Sequence, residues 1–345
     1  MIPHDSLLCP PDASQFVAWD ATLGRRFMLF VDTEEEFDWN APFDRAATQV
    51  TAMAGLAHGQ EYFASAAVQP VYLVDYPILQ NDAAVALLRR WRGEGAADIG
   101  AHLHPWVTPP HEEAVSARNS FAGNLPPALE RAKLMTQCAF MEERLGMRPL
   151  AYRAGRYGVG HDTAQSLLDA GFLLDCSVRS RFDYSGHDGP DFGGLPLHPY
   201  RVGPGHRLVE LPLSTAYTGV LRRHGEGLHR MTSGWGRMAG ALSRAGLMTR
   251  VPLTPEGVSA RECVAAIDAL IEQDVPVLSF SFHSPTLEPG HTAYVRTAAD
   301  LDAFYRWWDV VLDHLARRSV LPMALSDLLS AVSVTCARDP SCQAA

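Results

Sequence analysis

Short hydrophobic runs and longer amphipathic segments alternate along most of the chain. The runs have the length and composition of buried strands; they span 26–31, 71–74, 97–102, 150–153, 172–177, 208–213 and 277–282. Segments with helical spacing lie between them, at 51–67, 82–91, 125–145, 161–170, 259–272 and 298–316. This alternation predicts βαβ units and a mainly parallel sheet, and its repetition predicts a barrel or near-barrel.

Two stretches interrupt the alternation. Residues 179–207 are rich in Gly, Pro, His and Asp, and residues 215–255 contain Gly and Arg without a sustained period. Because loops of this length in a compact domain commonly carry function, we expect them to shape a substrate cleft. We therefore predict one barrel domain over 26–335 with long irregular insertions, an N-terminal extension over 1–25 and a C-terminal tail over 336–345.

Composition narrows the class of protein. The 345 residues are 47% hydrophobic and 20% charged, which is ordinary for a globular protein with a large core. The formal net charge of −10 argues against nucleic acid as the main partner. No apolar run is long enough to predict a membrane span. The first residues lack the basic and apolar regions of a secretion signal, so we expect a cytoplasmic location.

Ionisable side chains recur at the carboxyl ends of the predicted strands, where parallel α/β proteins form their active sites. The first run is followed by Asp32, Glu34 and Glu35, and the third by His102 and His104. The same rim receives one residue from each of three further runs: Arg153, Asp175 and His283. Packing alone explains such a set poorly, so we interpret it as an active site.

The two histidines are the strongest sign of a metal. Residues two apart on a strand face the same side, so His102 and His104 can bind one ion. A carboxylate with two histidines is a ligand set for a catalytic divalent metal with open positions. Glu34 shares the face of Asp32 if the strand continues, which favours it as ligand, with Glu35 as the alternative. The competing interpretation is a pair of backbone-bonded loop histidines beside a solvated acidic turn.

Two other residues have the chemistry of catalytic partners. An arginine such as Arg153 can hold a carboxylate base in place and ionised, although a surface ion pair is the competing interpretation. His283 can protonate a leaving group because the pKa of imidazole is near neutrality, unless it is a core histidine bonded to backbone. Four aromatic residues could stack on a sugar ring or belong to the core: Trp106, Tyr157, Tyr184 and Tyr217.

Five segments, in this order, resemble the motifs of the polysaccharide deacetylase family (NodB homology domain, carbohydrate esterase family 4), and the closest variant is its WalW-like branch. They are Asp32-Thr-Glu34-Glu35, Gly100-Ala-His102-Leu-His104-Pro, Arg153-Ala-Gly155-Arg-Tyr-Gly, Leu174-Asp175-Cys-Ser-Val and Phe280-Ser-Phe-His283-Ser-Pro. The resemblance covers Arg26 to Leu325 and implies a distorted (β/α)7 barrel. Its departures are the two-residue histidine spacing, Gly155 in place of a common proline, and the absence of a cleft tryptophan.

The resemblance implies a metal-dependent deacetylase that acts on non-peptide carbon–nitrogen bonds. Its substrate would be an acylated, in particular N-acetylated, sugar or a cell-surface polysaccharide precursor. Glu34, His102 and His104 would hold a divalent metal, with Zn²⁺ the expected ion. Asp32 would be the general base, oriented by Arg153. His283 would be the general acid, and Asp175 would orient His283 or bind substrate.

Two alternatives stay open at this point. One is a hydrolase of a non-glycan amide on the same fold, and the other is a barrel that binds glycans or acts as a scaffold without catalysis. We expect a small-molecule or glycan partner, no nucleic acid and no membrane span. No pattern in the sequence predicts an oligomeric state.

Overall fold

A computed structural model of the chain describes residues 5–38, 41–225, 227 and 247–338. Its strands are β1 Arg25–Thr33, β2 Val71–Val74, β3 Asp98–Leu103, β4 Ala151–Ala154, β5 Leu174–Asp175, β6 Tyr200–Val202, β7 Leu208–Glu210, β8 Thr215–Thr218, β9 Thr249–Pro252, β10 Val277–His283 and β11 Val320–Pro322. Its α-helices are α1 Met53–Ser65, α2 Tyr76–Gln80, α3 Asp82–Gly93, α4 Pro127–Leu145, α5 Thr163–Ala170, α6 Ala260–Glu272, α7 Ala298–Arg317 and α8 Leu325–Arg338.

The central sheet has the order β10-β1-β2-β3-β4-β5-β7-β6, and each pair from β10 to β7 is parallel. These parallel strands coincide with the hydrophobic runs of the sequence, so the predicted α/β barrel is confirmed. Between β7 and β10, Leu253 donates its N–H to Ser214 O at 3.0 Å, and Ser281 donates to Leu253 O at 3.2 Å. Loop segments therefore bridge the two strands where a regular barrel would have a ladder.

The six helical segments predicted from the sequence are confirmed as α1, α3, α4, α5, α6 and α7. At the start of α7, Thr297 and Asp300 form a capping box, which fixes where this helix begins. Among the helices of the described residues, two were not predicted. The five residues of α2 are too few to show a period. The other is α8, which runs across the predicted start of the tail at 336.

The irregular stretches add short antiparallel pairs. Strand β6 pairs with β7, and β8 pairs with β9. The N-terminal residues pack beside β6, where Val17 donates its N–H to Pro199 O at 3.0 Å. Residues 226 and 228–246 of the second stretch lie outside the described residues.

The two faces of β1 enter different parts of the core. Phe27, Leu29 and Val31 join the large cluster between sheet and helices. Met28 and Phe30 join a smaller cluster that also receives residues of α8. Because side chains alternate along a strand, Asp32 continues the face of Met28 and Phe30. Among the helices that the structure describes, none has both the length and the hydrophobicity needed to cross a membrane.

Candidate active site

A cavity of about 970 Å³ lies at the carboxyl ends of the parallel strands. Five of the seven residues predicted to carry the chemistry line it: Asp32, Glu34, His102, His104 and His283. Parallel register explains the grouping, because β1 pairs with β10 and β3 pairs with β4. Arg153 lies directly behind the cavity, whereas Asp175 belongs to a separate buried cluster.

Asp32 and Arg153 form a buried ion pair. Arg153 Nη1 donates to Asp32 Oδ1 at 2.5 Å. Its Nε donates to the carbonyl of Cys176 at 3.0 Å, which fixes the orientation of the guanidinium. The Arg153 side chain is fully buried, so this geometry is that of a held carboxylate and not of a surface salt bridge.

Glu34 and the two histidines converge on one point. Nε2 of His102 and Nε2 of His104 each lie 3.3 Å from the same oxygen, Glu34 Oε2. The opposite ring nitrogens have partners of their own. His102 Nδ1 is 3.1 Å from the carbonyl oxygen of Arg153, and His104 Nδ1 is 2.8 Å from Glu35 Oε2.

This arrangement fits a divalent cation. A carbonyl or carboxylate beside Nδ1 accepts a hydrogen bond from the N–H of that nitrogen. The proton therefore stays on Nδ1, and the lone pair of Nε2 is directed at the Glu34 carboxylate. Glu34 Oε2 and His104 Nε2 are buried, and neither has a hydrogen-bond partner among the described residues. Burial opposes ionisation of Glu34, but His283, His102 and His104 outweigh it and lower the pKa of Glu34. A cation shared by the three side chains would satisfy these atoms, as histidine–carboxylate metal sites do.

Glu35 faces the other side of the same imidazole. Its carboxylate accepts from His104 Nδ1 and, at 3.1 Å, from Trp106 Nε1. The indole of Trp106 stacks on the His104 ring, with centroids 4.3 Å apart. Glu35 also donates its backbone N–H to Asp75 Oδ2 at 2.8 Å. Two successive glutamates therefore have separate places, one at each nitrogen of His104.

Gly155 allows His104 to occupy its position. A Cβ at Gly155 would lie 2.4 Å from His104 Cδ2 and 2.6 Å from the carbonyl oxygen of Leu103. No side chain fits in that space, so the glycine that stands at the usual place of a proline has a local steric reason. The next two residues, Arg156 and Tyr157, have φ of 56° and 61°, a conformation that non-glycine residues adopt at a cost.

His283 has a carboxylate partner that the sequence analysis missed. Its Nδ1 lies 2.7 Å from Glu256 Oε2, and its backbone N–H donates to Glu256 Oε1 at 3.0 Å. Thr286 Oγ1 donates to the same Oε1 at 2.6 Å. Burial lowers the pKa of His283, but Glu256, Glu34 and Asp32 outweigh it and raise that pKa to about 10. The free Nε2 lies 3.9 Å from Asp32 Oδ2, at the cavity.

Asp175 was expected to orient His283 or to bind substrate, and the structure places Glu256, not Asp175, beside His283 Nδ1. Asp175 Oδ1 accepts from Ser177 Oγ at 2.6 Å, and the side chain is completely buried outside the cavity wall. Its carboxyl group also interacts with that of Glu210. Burial raises the pKa of both groups, so the two form a buried acid pair. The sequence did not indicate this placement, because only the strand register tells which side of the sheet the Asp175 carboxyl group faces.

The four aromatic candidates divide into two kinds. Tyr157 and Tyr184 line the cavity. Trp106 and Tyr217 are 2% and 4% exposed, which places them in the core. Trp106 supports His104 and Glu35, so it contributes to the site from behind.

Helix α4 anchors the loop that follows His102 and His104. Gln137 Nε2 donates to the carbonyls of Val74 and His102, both at 2.8 Å. The fully buried Lys133 donates to Pro105 O at 2.9 Å and to Thr108 O at 2.6 Å. No pattern in the sequence indicated this role for Lys133 and Gln137, because it depends on backbone carbonyls at strand ends that need a hydrogen-bond donor.

The comparisons with known proteins support the fold. No protein-family model matches the sequence, and no curated protein has a significant sequence match to it. The structure is similar to that of a candidate polysaccharide deacetylase from Mycobacterium smegmatis, with a TM-score of 0.51, 17% identity and 95% of each chain covered. This similarity shows a shared barrel fold.

Two weaker similarities involve proteins of differing activity. An allantoinase structure matches with a TM-score of 0.48 and 14% identity, covering 90% of this chain and 91% of that one. A CE4-family pseudoenzyme from Bacillus anthracis matches with a TM-score of 0.43 and 7% identity, covering 89% and 66%. Neither similarity is close enough to support an argument about this chain.

Proposed function

We propose that this protein is a metal-dependent hydrolase that removes an acyl group, in particular an N-acetyl group, from a sugar or a polysaccharide precursor. The observation that carries the proposal is the convergence of three functions on one cavity. Glu34, His102 and His104 offer a buried cation site. Asp32 and His283 flank that site, each oriented by its own partner.

Zn²⁺ is the ion that we assign, because two imidazoles and one carboxylate with open positions are a typical catalytic zinc set. When bound, it supplies an acidified water and polarises the acyl carbonyl. Asp32, held by Arg153, accepts the proton of the attacking water. His283 gives a proton from Nε2 to the leaving amine, while its Nδ1 stays bonded to Glu256.

The choice of an acylated sugar rests on the motif resemblance and on the cavity wall, where Tyr157 and Tyr184 can stack on a ring. A hydrolase of another amide uses the same residues, and substrate assays separate the two. The presence of both a held base and a held acid argues against a barrel without catalysis.

Metal analysis and acetate release test the proposal. We expect one bound ion per wild-type chain and none in the double variant His102→Ala/His104→Ala, whereas His206→Ala, at an exposed histidine, keeps it. Asp32→Asn should keep the ion and lose about 10²- to 10⁴-fold in kcat on an acetylated amino sugar. Wild-type protein that binds no metal, or that releases no acetate from any member of a panel of acetylated sugars, contradicts the proposal.

A further inference from the structure

Two arginines on the cavity wall have no acidic partner. Arg156 and Arg179 both line the cavity, and within the described residues neither forms an ion pair with a carboxylate. Both side chains are half-buried, and an arginine that is partly removed from solvent commonly has an anionic partner. Nothing in the metal-dependent chemistry at Glu34, Asp32 and His283 uses these two side chains.

Three acidic residues of the wall have partners other than these arginines. Glu36 accepts from Thr51 and from the N–H of Ala52 at the start of α1. Glu256 holds His283, and Asp32 holds Arg153. None of these three carboxylates forms an ion pair with Arg156 or Arg179, so the two guanidinium groups keep their charge for a ligand.

Arg179 is held in place by aromatic rings. Its guanidinium carbon lies 5.0 Å from the Tyr157 ring centre and 4.0 Å from that of Phe182. Nη1 donates to the hydroxyl of Tyr184 at 2.8 Å. Within the part of the chain that the structure describes, Nε is buried and has no hydrogen-bond partner. A guanidinium that stacks on rings keeps the N–H groups of its edge for other ligands, and here those of Nε and Nη2 donate to no described residue.

Arg156 is fixed in a similar way. Its guanidinium carbon lies 3.9 Å from the Phe121 ring centre, and Nη1 donates to the carbonyl of Ala117 at 3.1 Å and to Ser120 Oγ. The hydroxyl of Tyr184, which accepts from Arg179, also lies close enough to Arg156 to interact with it electrostatically. Gly155, the residue before Arg156, packs against His104, so the pair adjoins the metal site.

From this geometry we propose that Arg156 and Arg179 form an anion subsite. It binds a carboxylate or phosphate on the part of the substrate that is not the acyl group, so the substrate is an anionic acylated compound such as an acylated sugar acid or sugar phosphate. Planar guanidinium forks match both kinds of oxyanion. This inference rests on the proposed function in one respect, namely that the ligand carries an acyl group.

Calorimetric binding of three probes tests the subsite without requiring turnover. The probes are N-acetylglucosamine, N-acetylglucosamine 1-phosphate and N-acetylmuramic acid, titrated into zinc-loaded Asp32→Asn protein. We expect at least one charged probe to bind about tenfold more tightly than the neutral one, and the better of the two identifies the oxyanion. Arg179→Gln or Arg156→Gln, added to Asp32→Asn, should abolish the preference. Arg131→Gln, at an exposed ion pair with Asp169, should retain it.

The charge-preserving variant Arg179→Lys separates charge from folding, and thermal melting confirms that each variant is folded. Arg179→Lys should keep part of the preference that Arg179→Gln loses. Equal affinity for neutral and charged probes, a preference unchanged in both glutamine variants, or no binding of any probe overturns the subsite. An arginine-dependent preference in a protein that releases no acetate contradicts only the proposed hydrolysis. Acetate release without that preference contradicts only the subsite.

Discussion

His104 and His283 have the same kind of support but opposite surroundings. Each directs Nδ1 to a glutamate, Glu35 or Glu256, at 2.8 and 2.7 Å respectively. The Nε2 of His104 faces a third glutamate at 3.3 Å, and its side chain is 1% exposed. The Nε2 of His283 faces the cavity, and its side chain is 30% exposed. The carboxylate at Nδ1 fixes the tautomer, and the surroundings of Nε2 then decide between ligand and proton donor.

Substitution of His283 distinguishes the proposed roles of the two histidines most sharply. His283→Gln should keep stoichiometric metal and lose about 10²- to 10⁴-fold in kcat, because only the proton donor is lost. His104→Ala should instead lose the metal itself. Metal content and steady-state kinetics on the same preparations measure both. Loss of metal from His283→Gln would contradict the assignment of His283 as proton donor and His104 as metal ligand.

The surroundings of one histidine were predictable from the sequence, and those of the other were not. His104 lies two residues from His102, so strand geometry directs both rings to the same side, where they meet Glu34. Glu256 lies in the loop between β9 and α6, where no period fixes the position of a side chain. Its contact with His283 depends on the loop that closes the barrel between β7 and β10.

The same contrast holds for the fold. The parallel strands were predictable because buried strands are continuous hydrophobic runs between helices. The short β6, β8 and β9 lie in stretches whose composition gives no alternation, and the five residues of α2 are too few to show a helical period. The surroundings of Asp175 could not be predicted for a related reason, because its partner Glu210 lies on a strand that is distant in sequence.

Gly155→Ala tests whether the position of His104 depends on the space beside it. The new Cβ would lie 2.4 Å from His104 Cδ2, so the ring must move, and metal affinity should fall by about 10- to 100-fold. Competition with a chelator measures the change. Gly93→Ala, where no atom lies within 4 Å of the new Cβ, is the matched control and should bind metal normally. Equal affinity in both variants would show that the site tolerates displacement.

Glu256→Gln tests the support of His283. Losing the carboxylate removes the main cause of its raised pKa, so the alkaline limb of the kcat profile should move to lower pH, with about a tenfold lower kcat on the alkaline side and unchanged metal content. Because the pKa of His283 is higher in the folded than in the unfolded protein, protonated His283 stabilises the fold. This contribution is fully present below the pKa of the unfolded state and is lost as pH rises through about 10. The variant should therefore melt at lower temperature at pH 6, with a gap that narrows above pH 10.

Glu94→Gln, at an exposed helix end, is the matched control for that experiment and should leave the profile unchanged. An alkaline limb that stays in place in Glu256→Gln would show that another group donates the proton.

Asp175→Asn should have the smallest effect on catalysis, because the carboxyl group contacts Ser177 and Glu210 and lies outside the cavity wall. We expect kcat to change by less than about tenfold.

The free energy of unfolding of Asp175→Asn should respond to the substitution more than kcat does. Burial raises the pKa of Asp175, so its contribution is fully present below the unfolded pKa and is lost as pH rises through the folded value. An asparagine does not ionise, so the variant should lose less stability than the wild type as pH rises from acid to neutral. Chemical denaturation at several pH values measures this slope. A loss of kcat as large as that of His283→Gln would show that Asp175 takes part in catalysis. The buried acid pair of Asp175 and Glu210 would then have a catalytic role like that proposed for the Asp32–Arg153 ion pair.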